Sequence, residues 1–423
     1  MEKETIALHS GYDKDTQRTM AVPIYQTTAY DFRTSDFAAS SFNLEQGTDN
    51  VYTRIGNPTT AILEKRFTEL EGGSSALAVS SGMSAIFYSI LNLAQAGDNI
   101  IASSQLYGGT ITLFTHTLKR LGIETRFFNV ENPDEVENLI DENTKAIFFE
   151  SLSNPTIILA DIEEIAKIGD KNGIITVVDN TVPTPILCNP IDFGVDIVVH
   201  SASKYTTGQG LAIGGIVVER KGLYKKIEGN SRYPQFNEAD KSYHGLIFVD
   251  DSVKESLFTF RMRMVLLRDT GAVLSPFNAW LFIQGIETLS LRMRQHSENA
   301  LQIAEFLENH PQIKLVNYPK LDSSRFRVLS DKYLENGASG LLSFEVDDYE
   351  KAKKIADSVK IFSFVANIGD SKSIITHPAS TTHQQLSEEE MVEAGVSKGL
   401  IRLSVGLENV EDLIFDLRKA LEK

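Results

Sequence analysis

Between residues 75 and 219, seven short apolar runs alternate with polar and amphipathic stretches, and this alternation constrains the fold more than any other feature of the chain. The runs are ALAVSS, NIIASS, IETRFFNV, KAIFFES, GIITVVDN, VDIVVHS and IGGIVVE. Most are β-branched and continuous rather than alternating, which is the pattern of a short strand buried on both faces. Between several of them lie helical patterns such as IEEIAKIGDKNG, with apolar Ile162, Ile165, Ala166 and Ile168 and a glycine-bearing end. Strands separated by helices build a mainly parallel sheet with helices on its faces. An α/β fold is expected, with a seven-stranded sheet in a large domain over residues 61–269. Residues 1–60 read as a polar, loop-rich arm, with Pro23 and the turn-prone IGNPTT. Beyond about residue 270 the helices lengthen and the strands thin out. There HSENALQIAEFLENHP ends at Pro311, and NVEDLIFDLRKALEK sets Val410, Leu413, Ile414, Leu417 and Leu421 on one helical face. A smaller α+β domain over residues 270–423 is expected, and a chain of 423 residues is long enough for two domains.

Composition narrows the functional classes. The net charge of −16 argues against a nucleic-acid partner, because binding to phosphates draws on an excess of Lys and Arg. Cys188 is the only cysteine, so no intrachain disulfide, thiolate zinc cage or CxxC pair can form. The stretch MEKETIALHSGYDKD has no apolar core, and no window offers about 18 uninterrupted apolar residues, so a cytoplasmic protein without membrane spans is expected. His377, beside Pro378, has no companion at metal-ligand spacing and reads as structural; no metal is expected.

The chemistry gathers around DIVVHSASKYTTGQGLAIGGIVV, where Lys204 follows a buried strand. Open α/β sheets build their sites at the carboxyl ends of strands. Upstream, ALAVSSGMSAIFYSILNL reads as strand, tight turn and helix, with Gly82 at the turn. The first amides of such a helix favour an anion such as a phosphate. GIITVVDNT ends an apolar strand on Asp179, a carboxylate that would be costly there without a partner. Each feature alone has an ordinary reading: a solvated loop lysine, a packing turn, a helix cap. Taken together on consecutive α/β units they describe one ligand with a phosphate, a basic ring nitrogen and an aldehyde, and pyridoxal phosphate fits all three. The glycine patterns match neither a P-loop nor a dinucleotide-binding turn, which excludes a nicotinamide oxidoreductase.

The segments YTRIGNPT, SSGMSA, QLYGGT, ESLSNP, VVDNT, HSASKY, ITHPAST and IRLSVGLEN, in that order, resemble the Cys/Met-metabolism branch of fold-type I pyridoxal-phosphate enzymes over essentially the whole chain. That branch holds cystathionine synthases and lyases, methionine γ-lyases and O-acetylhomoserine sulfhydrylases. The resemblance implies that Lys204 is the Schiff-base and general-base lysine and that Asp179 pairs with the pyridine nitrogen. It implies that Ser81, Gly82, Met83, Ser201 and Ser203 hold the phosphate. Tyr107 would stack on the cofactor ring and assist proton traffic, and Asn154 would lie near the ring's phenolic oxygen and the substrate. Arg402 would clamp the substrate α-carboxylate, for which a planar guanidinium is suited. Tyr52 and Arg54 would reach the phosphate of a neighbouring subunit, implying a homodimer with shared sites, paired into a homotetramer. Ser363 would contribute to substrate binding, although this chain has FSFVANIGD where lyases and synthases more often carry a Ser-Leu-Gly segment. SASK replaces the SATK of many relatives and keeps the hydroxyl.

Two features point to one activity within the branch. The stretch between Tyr224 and Arg268, including YPQFNEADKSYHGLIFVD, looks like the insertion of the sulfhydrylases and is expected to narrow access to the site. Tyr107 is followed by Gly108-Gly109-Thr110, without the cysteine that methionine γ-lyases carry there. The resemblance therefore implies γ-replacement, in which O-acetyl-L-homoserine and sulfide give homocysteine and acetate for methionine biosynthesis. The alternatives are a cystathionine γ-synthase, a methionine or cystathionine γ-lyase, or a non-catalytic relative. The last would be expected to lose Lys204 or Asp179, and both are present.

Overall fold

All seven apolar runs are strands in the computed structural model, which describes residues 1–43, 50–243, 245–382, 384, 391 and 395–423. They are β1 (Ser75–Val79), β2 (Asn99–Ser103), β3 (Glu124–Phe128), β4 (Thr144–Glu150), β5 (Ile175–Asp179), β6 (Ile197–Ser201) and β7 (Gly215–Glu219). They join in the order β1-β7-β6-β5-β4-β2-β3. Neighbours are parallel from β6 across to β3, and β7 runs antiparallel to both β1 and β6. The sheet is therefore mainly parallel, as its sequence pattern requires.

Two apolar cores lie on opposite faces of this sheet. Ile147, Phe149, Val178 and Val198 point into one, and Ala146, Phe148, Val177 and Val199 into the other. The two-residue period of the strands divides each continuous apolar run between the faces. β3 departs from the expectation of a buried strand. It forms the sheet edge, with Glu124 and Phe127 exposed, because only one side of it is paired.

The helix Gly82–Leu93 connects β1 to β2, and Ile162–Lys171 packs behind β5. The stretch 224–268 is folded onto the sheet face that carries Phe148 and Val177. Its Tyr233, Phe236, Phe248, Phe258 and Met262 are buried in that core. Tyr233 stitches two strands by accepting the N–H of Ile175 at 2.8 Å and donating to the Lys145 carbonyl at 2.8 Å. His244, in the same stretch, lies outside the described residues.

A second sheet lies wholly beyond residue 270. It contains β8 (Leu315–Asn317), β9 (Leu341–Glu345), β10 (Ser363–Phe364), β11 (Ile374–Thr376) and β12 (Leu400–Ser404), in the order β10-β11-β12-β9-β8. The helices Leu289–Glu308, Tyr349–Ser358 and Val410–Leu421 cover it, and Leu413, Leu417 and Leu421 face its core as their spacing anticipates. Among the described residues no helix is long and apolar enough to cross a membrane.

The start of helix Gly82–Leu93 is wedged between β6 and β7. A Cβ on Gly215 would lie 2.1 Å from the Ser81 carbonyl oxygen, so only glycine allows the approach. Gly215→Ala should lower stability by about 1–3 kcal/mol, the usual cost of overpacking a filled interior, read as a fall in the thermal unfolding midpoint.

Candidate active site

The carboxyl ends of β4, β5 and β6 open on one cavity of about 400 Å³. Strand β6 ends at Ser201, and a tight turn carries the chain to Lys204, whose N–H donates to the Ser201 carbonyl at 3.2 Å. The lysine side chain points into the cavity, and its Nζ donates to Asn367 Oδ1 at 2.7 Å. Burial pulls the ammonium below its ordinary pKa, and the Arg402 guanidinium adds to that, with Asp179 opposing. An amine so destabilised as a cation is primed to act as nucleophile and base.

Asp179 ends β5. Its Oδ1 accepts the Thr181 hydroxyl at 2.5 Å and the Thr181 N–H at 2.9 Å. Enclosure pushes its carboxyl up, while Thr181 and the nearby His200 and Lys204 pull the other way. A carboxylate in this setting gains most from a cationic partner inside the cavity. The Thr181 hydroxyl also accepts the Ser201 N–H at 2.8 Å, so the ends of β5 and β6 are locked together.

At the adjoining wall, Ser81 caps the helix Gly82–Leu93 by accepting the Ser84 N–H at 3.0 Å. The amides of Gly82 and Met83 open the helix, ahead of any intrahelical acceptor. A Cβ on Gly82 would sit 2.6 Å from Ser201 Cβ, so the helix start and the end of β6 meet with no room for a side chain. Ser203 lies beside them and accepts the Gly214 N–H at 3.0 Å. Free helix amides, a dipole end and hydroxyls form a cradle for a dianionic phosphate.

Arg402, from β12 of the second sheet, closes the cavity opposite. It is 4% exposed and forms no ion pair among the described residues. Its Nη1 donates to Asn154 Oδ1 at 2.9 Å, and its Nη2 to the Asn367 carbonyl and Thr376 Oγ1, each at 2.9 Å. Its Nε is buried without a partner, and burial pushes its pKa down to about 10. A buried guanidinium with an idle donor calls for an anion. Tyr107 lies at the mouth, 49% exposed.

Of the residues singled out from the sequence, all but Tyr52, Arg54 and Ser363 line this cavity. Tyr52 is half-exposed, Arg54 lies over its ring at 5.5 Å, and Arg54 Nη1 donates to the Arg268 carbonyl at 2.7 Å. Ser363 is exposed on β10, where its N–H pairs with the Ser373 carbonyl at 2.9 Å. The polar side chain that this segment does bring to the cavity is Asn367, in Asn367-Ile368-Gly369. Strand pairing with β11 holds Ser363 at the sheet edge, while the loop beyond it turns inward. No described residue of the stretch 224–268 lines the cavity of its own chain, and its buried aromatic side chains belong to the core. His377 is held by Ser380 Oγ and the Lys398 carbonyl, both at 2.9 Å, a structural setting.

Sequence reasoning missed Glu150, Thr181 and Asn367, all on the cavity wall. Glu150 had the same signal as Asp179, an acid ending an apolar strand, and Asn367 stood in the segment that lacks Ser-Leu-Gly. Arg292 was also missed. It sits outside the cavity and donates to the carbonyls of Tyr205 at 2.6 Å and Thr206 at 3.1 Å, clamping the turn that follows Lys204.

Residues 4–422 match the Cys/Met metabolism PLP-dependent enzymes. The chain belongs to this family. Within it, the chain is 46% identical to an O-acetyl-L-homoserine sulfhydrylase of Leptospira meyeri, covering 99% of this chain and 96% of that protein. It is 44% identical to a homocysteine synthase of Schizosaccharomyces pombe, covering 99% and 98% of the two chains. A crystal structure of a putative O-acetylhomoserine (thiol)-lyase from Campylobacter jejuni, containing N'-pyridoxyl-lysine-5'-monophosphate, superposes with a TM-score of 0.97 at 53% identity over 100% of both chains. The cofactor of this PLP-dependent family fits the cavity: a phosphate cradle without room for a Cβ, a lysine with a depressed pKa and an enclosed carboxylate converge on one space.

Gly82→Ala would force the helix start away from Ser201. Affinity for pyridoxal phosphate should fall at least about tenfold, since cradle hydrogen bonds to a charged group are each worth roughly 1.5–3 kcal/mol. Titration of the apoenzyme, followed by absorbance, measures it.

Proposed function

We propose that this protein is an O-acetyl-L-homoserine sulfhydrylase, replacing acetate by sulfide at Cγ of the amino acid to give L-homocysteine. The observation that carries the reading is the charge inventory of the cavity. Among the described residues lining it, the only cations are Lys204 and Arg402. The first serves the cofactor and the second the α-carboxylate, and the Arg54 of a neighbouring subunit is assigned to the phosphate, which leaves no cation for a second carboxylate on the acyl group or the incoming thiol. The remaining wall includes Ile86, Leu152, Val182, Ala212 and Ile368, which suits an acetyl ester and a small nucleophile. Succinyl esters, and cysteine as sulfur donor, would each bring an unpaired charge into this space. Full-length relatives named for the same reaction support the reading.

The geometry supports the following roles. Bound pyridoxal phosphate supplies an electron sink for the carbon adjacent to the amino group. Gly82 and Met83 donate their amides to its phosphate, assisted by Ser81, Ser201 and Ser203. Asp179 holds the proton at its ring nitrogen, and Tyr107 covers its ring and excludes water. Arg402 and Asn154 orient the substrate carboxylate, with the Arg402 Nε as the donor left for it. Lys204, once its amine is released, takes the proton from Cα and moves protons along the substrate as the Cγ–O bond breaks and the Cγ–S bond forms.

We assign Tyr52 and Arg54 to the cavity of a neighbouring subunit, in a homodimer that pairs into a tetramer; that neither lines the cavity of its own chain supports this. The division into an arm, residues 1–60, a cofactor domain, 61–269, and a small domain, 270–423, belongs to the same proposal. So does a cytoplasmic location, which suits a single buried cysteine.

Purified enzyme supplied with O-acetyl-L-homoserine and sulfide should form homocysteine and acetate. O-succinyl-L-homoserine, or cysteine in place of sulfide, should be converted far more slowly. L-Methionine alone should yield little 2-oxobutyrate; cleavage of methionine as efficient as conversion of the acetyl ester would overturn the reading. Lys204→Ala should lose turnover by about a thousandfold or more, because nucleophile and base are removed together. Mixing Arg54→Ala with Lys204→Ala protein should restore activity through hybrid dimers. Demonstrated subunit exchange without recovery would remove Arg54 from the shared site.

A further inference from the structure

Glu150 ends β4 directly opposite Asp179 in the register of β4 and β5. It is buried, and both that burial and the charge of Asp179 push its carboxyl up. An acid in such a place is costly unless its oxygens are used, and here they are. Oε1 accepts the Tyr107 N–H at 2.7 Å, and Oε2 accepts the Asn154 N–H at 3.2 Å. These donors belong to two different loops, one after β2 and one after β4.

Each loop carries a side chain that faces the cavity. The Tyr107 phenol is half-exposed and has no hydrogen bond of its own among the described residues, so its ring stands where its main chain puts it. The Asn154 carboxamide oxygen takes the Arg402 Nη1 at 2.9 Å. A continuous path therefore runs from Tyr107 through Glu150 and Asn154 to Arg402. The residue type matters. A carboxylate is the side chain that offers two acceptor oxygens with no donor, whereas glutamine would set an N–H₂ against one of the two amides. Aspartate, one methylene shorter, would not span both.

We propose that Glu150 is a positioning residue of the active site, its one carboxylate fixing the main chain at Tyr107 and at Asn154 together. The ring at the cavity mouth and the amide that orients Arg402 thus keep a constant separation across the cofactor. Glu150 touches no reacting atom in this role. Its effect on the substrate rests on the function proposed above; its effect on the cofactor does not.

The test is Glu150→Gln, which keeps the shape and one acceptor. Losing one charge-assisted hydrogen bond should weaken pyridoxal phosphate binding to the apoenzyme about tenfold and raise KM for O-acetyl-L-homoserine about tenfold, with kcat changed less than about threefold. In an Asn154→Ala background the same substitution should raise KM by a smaller factor, because the link to Arg402 is already cut. Glu150→Asp, which keeps the charge and loses the reach, should give the same two shifts, and it replaces Glu150→Gln should that variant not fold. Wild-type cofactor affinity and KM in the folded variant would overturn the proposal. So would an undiminished effect of Glu150→Gln in the Asn154→Ala background. If the wild-type enzyme does not convert O-acetyl-L-homoserine, the substrate assignment fails while the cofactor titration still decides the role of Glu150.

Discussion

The cavity sets two acids, Glu150 and Asp179, against two cations, Lys204 and Arg402, all of them buried or half-buried. Charges removed from water are stable only when their partners are held at close range. The rest of the structure can be understood as the means of holding them. The two acids come from adjacent parallel strands in register, so their separation is fixed by the sheet itself. Lys204 follows the next strand, and Arg402 arrives from a second sheet whose strands come much later in the chain. None of the four neutralises another by a direct ion pair among the described residues. Each is restrained by neutral donors or acceptors instead, which leaves the charges available to ligands.

That restraint is built from main-chain groups and neutral side chains alike. Thr181 ties Asp179 to the end of β6. Arg292, itself buried with no carboxylate partner among the described residues and pushed down to about 10 by desolvation, spends its donors on the carbonyls of Tyr205, Thr206 and Gly285 and on the Thr288 hydroxyl. Buried Glu71 binds His200 at 2.7 Å and Asn180 at 3.2 Å, the residues next to Ser201 and Asp179. The chain on either side of the lysine and beside the aspartate is thus braced by two separate helical segments packed in one core. Such second contacts matter because a site must keep its groups within a fraction of an ångström to act.

The stretch 224–268 contributes to stability through its aromatic side chains. Phe236 stacks on Phe258 at 6.2 Å, and the Arg261 guanidinium lies 5.4 Å from the Phe236 ring. Its aromatic side chains complete the core on one face of the sheet. At its end, the Arg268 carbonyl receives Arg54, so the stretch also fixes the residue that points away from its own cavity.

Arg402 entered through the family resemblance, whereas the seven strands, the helices between them and the strand-end positions of Lys204, Asp179 and Gly82 were legible in the sequence itself. These are short-range properties: period, β-branching, and a polar residue placed where an apolar strand stops. The same rule was available for Glu150, where KAIFFE ends on an acid, but its meaning depends on Tyr107 and Asn154, which only folding brings to it. The tertiary structure alone decided that Asn367 rather than Ser363 faces Lys204, because β10 pairing turns the serine outward. It also decided that β3 is an exposed edge and that the long stretch before Arg268 is core. Which buried polar groups become partners is settled by packing between segments distant in the chain, 163 residues for Lys204 with Asn367 and 43 for Glu150 with Tyr107, and local pattern carries no record of that choice.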